Sequence, residues 1–264
     1  MHNIFAKTKV FVFDMDGTFY LGSRMLPGAG DFVGSLAARG LDFRFFTNNS
    51  SHARVDCLRK LSRMGFPVEE EKVVLSTDVA AAYLNEHHRH AQVYLLGNEK
   101  MARELTRAGV TLVDPPADEA PDLILLGFDT DLTYARIHKA ANWLAEGLPY
   151  LATHPDKNCP VPGGFMPDTG AMIALFDAST GRVPKVLGKP ERTTVDYLAK
   201  HLQCAPEKLC FVGDRLETDI AIGRHGSPAV LVLTGVTTRE DYEAQQEFHA
   251  DLVVETLPEL ADYL

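Results

Sequence analysis

Cysteine is scarce in this sequence, and its spacing excludes the usual cysteine-based sites. Four cysteines occur among 264 residues, and no two of them have the spacing of a CxxC motif. A zinc centre or a dithiol redox site built on paired cysteines is therefore not expected. We expect reduced thiols and a cytoplasmic location, since disulfides belong mainly to oxidising compartments.

Positive charge and long apolar segments are also missing. Asp and Glu outnumber Lys and Arg by 36 to 26, and no basic cluster stands out. We therefore expect no nucleic-acid partner and no binding to an anionic membrane surface. No apolar run approaches the ~18 residues of a membrane-spanning helix. The first ten residues lack the apolar core of a signal peptide, which again favours a cytoplasmic protein.

Short apolar runs do occur, and they alternate with stretches of helical periodicity. All-apolar runs of this kind are typical of parallel strands that are covered on both faces of a sheet. The alternating strand–helix order predicts an α/β fold with a doubly wound parallel sheet. The runs lie at 10–13, 43–46, 123–126, 209–212 and 230–233, and the one at 43–46 is interrupted by Arg44.

A second strand–helix series, with two proline-rich stretches inside it, lies between residues 79 and 185. We interpret this series as an α/β domain inserted into the first domain. The predicted boundaries are 1–78 and 186–264 for the discontinuous first domain and 79–185 for the insertion. Among the predicted helices, one starts on the serines at 50 and 51, one covers 170–178, and one follows residue 215 and stops at Gly226.

Two carboxylates follow the first apolar run. Asp14 and Asp16 stand at the carboxyl end of the predicted strand, which is where open α/β sheets bind ligands. Residues two apart in an extended chain point the same way, so these carboxylates repel each other unless a cation or a shared proton intervenes. Mg²⁺, which prefers oxygen ligands, would relieve the repulsion, and Gly17 could free backbone N–H groups to face an anion. The alternative is that Asp14 caps a turn and Asp16 is solvated.

Polar side chains end three further strands. Hydroxyl and amide groups can donate to phosphate oxygens, a lysine held between glycine and proline is a fixed positive charge, and a second carboxylate pair can hold a metal. Together with the first pair, this order of groups predicts a metal-and-phosphate site. The set comprises Thr47, Asn48 and Asn49 after the second run, Lys189 after a short strand, and Asp214 and Asp219 after the run at 209–212.

The motifs "DMDGT", "TNN", "GKP" and "GDRLETDI" resemble, in this order, the four motifs of haloacid-dehalogenase (HAD) superfamily phosphatases. "TNNSS" and "GDRLETDI" are similar in wording to the NagD-like, p-nitrophenyl-phosphatase branch, subfamily IIA. The resemblance covers nearly the whole chain. It implies a Rossmann-like HAD core with an inserted α/β cap of the C2 type. The long interval between Thr47 and Lys189 agrees with an insertion after the second motif.

The resemblance also implies roles for the motif residues. Asp14 would be the nucleophile that forms an aspartyl-phosphate, and Asp16 would be the general acid and base. Thr47 and Lys189 would hold the transferring phosphoryl group, helped by the two asparagines that follow Thr47. The Mg²⁺ site would comprise Asp14, Asp16 through its backbone carbonyl, Asp214, and Asp219 beside the metal, where it would order Lys189 or a metal-bound water.

The substrate implied by the resemblance is a small phosphorylated metabolite, such as a sugar phosphate or a nucleotide. In this family the cap sets the specificity, and the loop 153–170 is the expected reader of the leaving group. His154 and Asp168 are the candidate substrate contacts in that loop. For Asp168 an alternative is that it caps the helix at 170–178. A homodimer is also compatible with the sequence.

Three other functions share part of this pattern. A receiver-type switch protein also has a phosphoaccepting aspartate, a threonine and a lysine, but Asp16 and a cap of about a hundred residues speak against it. A haloacid dehalogenase would need neither Asp16 nor the metal carboxylates. A phosphotransferase would differ only in the acceptor, and the sequence leaves that alternative open.

Overall fold

The computed structural model describes residues 4–161 and 163–264. Residues 1–3, which begin the segment that lacks a signal-peptide core, lie outside the described ranges. Residue 162, in the loop 153–170, lies outside them as well. Among the described residues, no helix is both long and apolar enough to cross a membrane.

The secondary structure alternates between strands and helices, as the apolar pattern predicts. The strands are β1 (Val10–Phe13), β2 (Tyr20–Leu21), β3 (Arg24–Met25), β4 (Asp42–Thr47), β5 (Val73–Leu75), β6 (Gln92–Leu96), β7 (Thr111–Val113), β8 (Leu123–Leu126), β9 (Tyr150–Ala152), β10 (Asn158–Val161), β11 (Gly164–Pro167), β12 (Lys185–Val186), β13 (Leu209–Gly213), β14 (Ala229–Val232) and β15 (Leu252–Val254).

The α-helices span six to twelve residues each, and several connections between strands contain short π or 3₁₀ segments. They are α1 (Ala29–Ser35), α2 (Arg54–Arg63), α3 (Ser76–His87), α4 (Glu99–Arg107), α5 (Tyr134–Ala145), α6 (Thr169–Thr180), α7 (Arg192–His201) and α8 (Arg239–Ala244). Single π or 3₁₀ turns occupy Leu36–Arg39, Glu70–Lys72, Pro206–Lys208, Leu216–Ile220, Ala221–His225 and Leu257–Tyr263.

Two parallel sheets organise the described chain. The first has six strands in the order β15-β14-β13-β1-β4-β5, so β1 lies in the interior with β13 and β4 as its parallel neighbours. The second has five strands in the order β12-β9-β8-β6-β7. Two antiparallel hairpins, β2–β3 and β10–β11, complete the strands. The predicted α/β class with parallel sheets is confirmed.

The described chain forms two compact units. The first unit comprises Met1–Thr47, Val55–Val74 and Val195–Leu264, and the second comprises Asn48–Arg54 and Leu75–Thr194. Each unit contains one of the two parallel sheets. The domain boundaries that the sequence predicts stay a prediction. In this division, the short segment Asn48–Arg54 belongs to the unit that contains the second sheet.

Two of the predicted helices differ from the structure. The helix expected to start at the serines begins instead at Arg54, because the hydroxyl groups of both serines make other hydrogen bonds. Ser50 Oγ accepts from Phe128 N at 2.8 Å, and Ser51 Oγ donates to Asn49 Oδ1 at 2.7 Å. The helix expected after residue 215 is a π turn followed by a 3₁₀ turn, and it stops at Gly226 as predicted.

Candidate active site

The first carboxylate of the site stands at the end of a rigid strand. All four residues of β1 are buried, and the strand is paired on both sides. Asp14 follows it directly, and its backbone N–H donates to the carbonyl of Val212 at 2.8 Å. Because neighbouring strands fix the backbone on both sides of β1, the backbone that carries the Asp14 carboxylate is fixed as well.

Two further carboxylates meet Asp14 at this edge of the first sheet. Asp214 follows β13 and is fully buried, and Asp219 lies on the π turn Leu216–Ile220 and is 2% exposed. Within the described residues, one oxygen from each of Asp14, Asp214 and Asp219 lies within 4.8 Å of the others. The sequence predicts this meeting, since parallel strands bring their carboxyl ends to one edge of a sheet.

Three carboxylates at such distances are a suitable donor set for a hard divalent cation. Two negative charges ~4 Å apart repel by about 4 kcal/mol at an effective dielectric constant near 20. Burial of Asp214 and Asp219 keeps water from screening that repulsion. A cation of the Mg²⁺ type takes oxygen ligands and often keeps several waters, so the residues present fit it.

The loop that follows β14 holds Asp214 in place. Val236 N donates to Asp214 Oδ2 at 2.7 Å, and Thr237 N donates to the Asp214 carbonyl at 3.1 Å. The hydroxyl of Thr18 donates to the other carboxylate oxygen at 3.3 Å. This loop was not predicted from the sequence. The feature of the sequence that could have indicated it is the glycine and threonines directly after the apolar run 230–233.

Two glycines leave room for the Asp214 carboxylate. A Cβ atom on Gly17 would lie 2.4 Å from Asp214 Oδ2, and one on Gly235 would lie 2.0 Å from the same atom. Gly17 also has a left-handed φ of +89°. Its own N–H donates to the Tyr20 carbonyl at 2.7 Å and is therefore used within the turn. The expectation that backbone N–H groups of this turn face an anion stays a prediction.

Asp16 has different surroundings from Asp14. Its side chain is 51% exposed and is not one of the three carboxylates in the acidic cluster. Its Oδ2 lies 3.5 Å from the ammonium nitrogen of Lys60, which itself lies 3.8 Å from the centre of the Tyr20 ring. Lys60 was not predicted, since nothing near it in the sequence marks a partner of Asp16. Metal binding by the Asp16 backbone stays a prediction.

Asn48 and Lys189, which belong to the second unit, are paired with each other. Asn48 Oδ1 accepts from Lys189 N, and Asn48 Nδ2 donates to the Lys189 carbonyl, both at 3.0 Å. Nδ2 also donates to Asp156 Oδ2 at 3.0 Å. Both amide hydrogens of Asn48 are thus used within the protein. Contacts of Asn48 and Lys189 with a substrate stay a prediction.

Thr47 and Asn49 flank Asn48. Thr47 is the last residue of β4 and is partly buried. The Asn49 side chain accepts from Ser51 N at 3.0 Å and lies with its Nδ2 3.7 Å from Cys159 Sγ. Asn49 therefore orders the turn at 49–51. The predicted substrate contacts of Asn49 and Thr47 both stay predictions.

His154 and Asp168 form a buried pair in the second unit. His154 Nε2 and Asp168 Oδ1 lie 3.0 Å apart, with the two residues 0% and 4% exposed. Asp168 also accepts from Thr169 N at 2.5 Å as the N-cap of α6. The N-cap interpretation of Asp168 is confirmed, while substrate contact by either residue stays a prediction.

Comparisons with known proteins identify the family. Residues 11–111 match the haloacid dehalogenase-like hydrolase model, and residues 186–260 match the HAD-hydrolase-like model. An acid sugar phosphatase of Staphylococcus haemolyticus is 33% identical over 240 residues, which is 90% of each chain. The chain belongs to the haloacid dehalogenase superfamily. The resemblance read from the four HAD motifs is confirmed.

Solved structures agree with this assignment to the HAD superfamily. A 4-nitrophenylphosphatase from Thermotoga maritima matches with a TM-score of 0.92, 40% identity and 99% coverage of both chains. A glycerol phosphate phosphatase from Mycobacterium tuberculosis, crystallised with magnesium, matches with a TM-score of 0.86 and 28% identity over 97% of this chain and 78% of that one. The protein is a HAD phosphatase of the NagD and p-nitrophenyl phosphatase type, with a HAD core and an inserted α/β cap.

Proposed function

We propose that this HAD phosphatase hydrolyses small phosphorylated metabolites through a covalent aspartyl-phosphate formed on Asp14. The observation that carries the proposal is the acidic cluster of Asp14, Asp214 and Asp219 at the carboxyl ends of β1 and β13. A nucleophilic carboxylate beside a metal-binding carboxylate pair is an arrangement that supports phosphoryl transfer through a covalent intermediate.

The first half-reaction uses Asp14 and Asp16. A carboxylate oxygen of Asp14 forms a bond to phosphorus while the bond from phosphorus to the leaving oxygen breaks. Asp16, in its protonated form, donates its proton to that leaving oxygen, so the product leaves as an alcohol. The exposed carboxylate of Asp16 lies outside the acidic cluster, which leaves it accessible for proton transfer.

The second half-reaction regenerates the enzyme. Asp16, now ionised, removes a proton from a water molecule as the water oxygen attacks the phosphorus of the aspartyl-phosphate. The bond from phosphorus to Asp14 breaks, which releases inorganic phosphate and the free Asp14 carboxylate. Asp16 ends the cycle protonated and ready for the next substrate.

Positive charge is needed because an anionic nucleophile must approach an anionic phosphate. Mg²⁺ held by Asp14, Asp214, the Asp16 backbone and the nearby Asp219 would supply part of that charge when it is bound. Lys189 and the hydroxyl of Thr47 would contribute the rest by holding phosphoryl oxygens, as the matching motifs imply. Positioning and charge neutralisation then share the lowering of the barrier.

The relatives support a substrate class for this chain. The comparison proteins are called acid sugar phosphatase, 4-nitrophenylphosphatase and glycerol phosphate phosphatase. Each of these names refers to a substrate in which a phosphate monoester is attached to a small organic group. We therefore assign phosphorylated sugars and related polyol phosphates as the substrate class, with nucleotides and other small monoesters as the competing classes.

A phosphate-release screen tests the proposal. The purified chain is incubated with Mg²⁺ and a panel of phosphomonoesters: sugar phosphates, glycerol phosphate, nucleoside monophosphates, phosphoglycolate and p-nitrophenyl phosphate. We expect turnover of p-nitrophenyl phosphate and a higher kcat/KM for at least one sugar or polyol phosphate. Preference for a nucleotide would overturn the substrate class, and release of no phosphate from any compound would overturn the function.

A further inference from the structure

We infer that Asn48 is a positioning residue, whose side-chain amide fixes the backbone of Lys189 and thereby the place of its ammonium group. The inference rests on the proposed function, because it matters for catalysis only if the charge of Lys189 stabilises the transferring phosphoryl group. It gives Asn48 a task different from a direct contact with substrate.

The amide of Asn48 matches the backbone of one residue. It accepts from Lys189 N and donates to Lys189 O, each at 3.0 Å. A single side chain thus satisfies both polar backbone groups of Lys189, as a neighbouring strand would. Asn48 is 6% exposed and Lys189 is 2% exposed, so water does not compete for these hydrogen bonds.

Asn48 is itself held from two sides. Its second amide hydrogen is donated to Asp156 Oδ2 at 3.0 Å, and its own carbonyl accepts from the hydroxyl of Ser76 at 2.7 Å. Ser76 is fully buried at the start of α3. A residue that is fixed at both ends can transmit its position to the backbone it binds.

The residue before Lys189 leaves room for this contact. A Cβ atom on Gly188 would lie 2.8 Å from Asn48 Oδ1 and 2.3 Å from the Thr153 carbonyl. The Gly188 N–H donates to that same carbonyl at 2.8 Å. The backbone on both sides of the Lys189 N–H is therefore packed against other parts of the second unit.

Fixing the backbone matters because a lysine is a point charge on a flexible chain of four carbons. The positions that its ammonium group can reach depend on where the backbone places the Cα atom of the lysine. A misplacement of ~1 Å in a catalytic group costs on the order of 10²-fold in rate. Loss of the Asn48 amide should therefore weaken catalysis without removing any group that touches the phosphate.

A double-mutant cycle tests the inference. The variants are Asn48→Ala, Lys189→Ala and both together, with Asn85→Ala as a control of the same residue type on an exposed part of α3. Each is assayed for kcat and KM on p-nitrophenyl phosphate with Mg²⁺, for inhibition by inorganic phosphate, and for melting temperature. If Asn48→Ala does not fold, Asn48→Ser replaces it in the same cycle.

We expect Asn48→Ala to lower kcat/KM about 10²-fold and to weaken phosphate inhibition. In the Lys189→Ala background the same change should cost less than about threefold, because the group that Asn48 positions is already gone. Asn85→Ala should match the wild type.

Other outcomes overturn the inference. A native kcat/KM for Asn48→Ala, or an equal cost in both backgrounds, would show that Asn48 does not act through Lys189. Native activity of Lys189→Ala would instead remove Lys189 from the proposed function. Failure of the covalent mechanism is separate from both, since it would appear as activity in Asp14→Asn.

Discussion

Asp14 and Asp16 are two residues apart and have different environments. Asp14 lies beside two buried carboxylates, whereas Asp16 is half exposed and faces the ammonium group of Lys60. A nucleophile must stay ionised and fixed, while a group that gives and takes a proton must reach both the leaving oxygen and water. Under the proposed mechanism, these environments suit Asp14 to the first task and Asp16 to the second.

At this residue, Asp14→Asn is expected to lower turnover of p-nitrophenyl phosphate by at least roughly 10³-fold, because an amide cannot form the covalent intermediate. The fold should be kept, since one neutral side chain replaces a charged one in an acidic cluster. The measurement is a steady-state assay beside a thermal melt. Asp262→Asn, on an exposed residue near the C-terminus, is the control and should have native activity. Near-native turnover by Asp14→Asn would exclude the covalent mechanism.

Single residues also show where sequence reasoning stops. The carboxylates at 14, 214 and 219 could be found because each follows an apolar run, and parallel strands bring such positions together. The loop at 234–237 could not be found in this way, because it acts through the N–H groups of Val236 and Thr237, which every residue except proline possesses. The partner of Asn48 was missed because 141 positions separate it from Lys189.

Among the elements, α6 has a buried acidic cap. Asp168 accepts from the first N–H of the helix and contacts His154, which is fully buried. The carboxylate therefore has two structural tasks at once. The helix start follows from the sequence, because a capping residue precedes an apolar stretch, but the histidine partner is 14 positions away.

The change Asp168→Ala is expected to lower the free energy of unfolding by about 1–3 kcal/mol, since it removes an N-cap and the acceptor of a buried histidine. The order of substrates should stay the same, because the carboxylate is almost completely buried. Chemical unfolding and the phosphate-release panel are the two measurements. Asp177→Ala, at an exposed position of the same helix, should leave both unchanged. Native stability with a gain for anionic substrates such as phosphoglycolate would show instead that Asp168 faces the leaving group.

Strand β4 begins with an ion-pair cluster. Lys72 Nζ and Arg44 Nη1 lie 2.5 Å and 2.7 Å from the two Asp42 carboxylate oxygens. Burial raises the pKa of Asp42, but the hydrogen bonds from Lys72 and Arg44 outweigh it and hold the pKa below its usual value. A lowered pKa in the folded state means that the cluster contributes stability above about pH 4, and that this stability is lost as the pH falls through the folded-state pKa.

Between pH 5 and pH 3, the urea midpoint of the wild type should therefore fall further than that of Asp42→Asn, which has no proton to take up at this position. At pH 7 the variant should be the less stable of the two. Asp262→Asn is again a matched control and should follow the wild-type curve. Parallel curves for the wild type and Asp42→Asn would show that the cluster does not contribute to acid sensitivity.

The second sheet binds a segment of its own chain at the carboxyl ends of two strands. Its strand order reverses between β6 and β8, and open α/β sheets bind ligands outside the strand ends at such a point. Here Asn98, after β6, donates to the Ser51 carbonyl at 2.9 Å, and Phe128, after β8, donates to Ser50 Oγ at 2.8 Å. The segment Asn48–Arg54 therefore takes the place of a ligand, and this docking accounts for its membership of the second unit.

For the whole molecule, Mg²⁺ should act as a stabilising ligand. The three carboxylates of the cluster repel one another, and a cation that binds only the folded state raises the free energy of unfolding by RT ln(1 + [Mg²⁺]/Kd). At a concentration of 100 times Kd the gain is about 2.7 kcal/mol. We expect the melting temperature to rise with Mg²⁺ and the activity to be lost in EDTA and restored by Mg²⁺.

The variant Asp214→Asn should lose most of this Mg²⁺-dependent rise in melting temperature, because one of the three oxygen donors becomes a neutral amide. Asp262→Asn should keep the whole effect. Full activity after exhaustive dialysis against EDTA would contradict a metal-dependent reaction.

The order of strands in the first sheet has a consequence for synthesis on the ribosome. β1 is made long before one of its two neighbours, β13, since the Asp214 that follows β13 is 196 positions beyond the Thr18 that follows β1. Until β13 emerges, one side of β1 presents unpaired backbone groups and buried-type side chains to the cell. The nascent chain must therefore keep this buried, apolar strand protected until β13 has been made, and slow translation or a truncated message would expose it to aggregation.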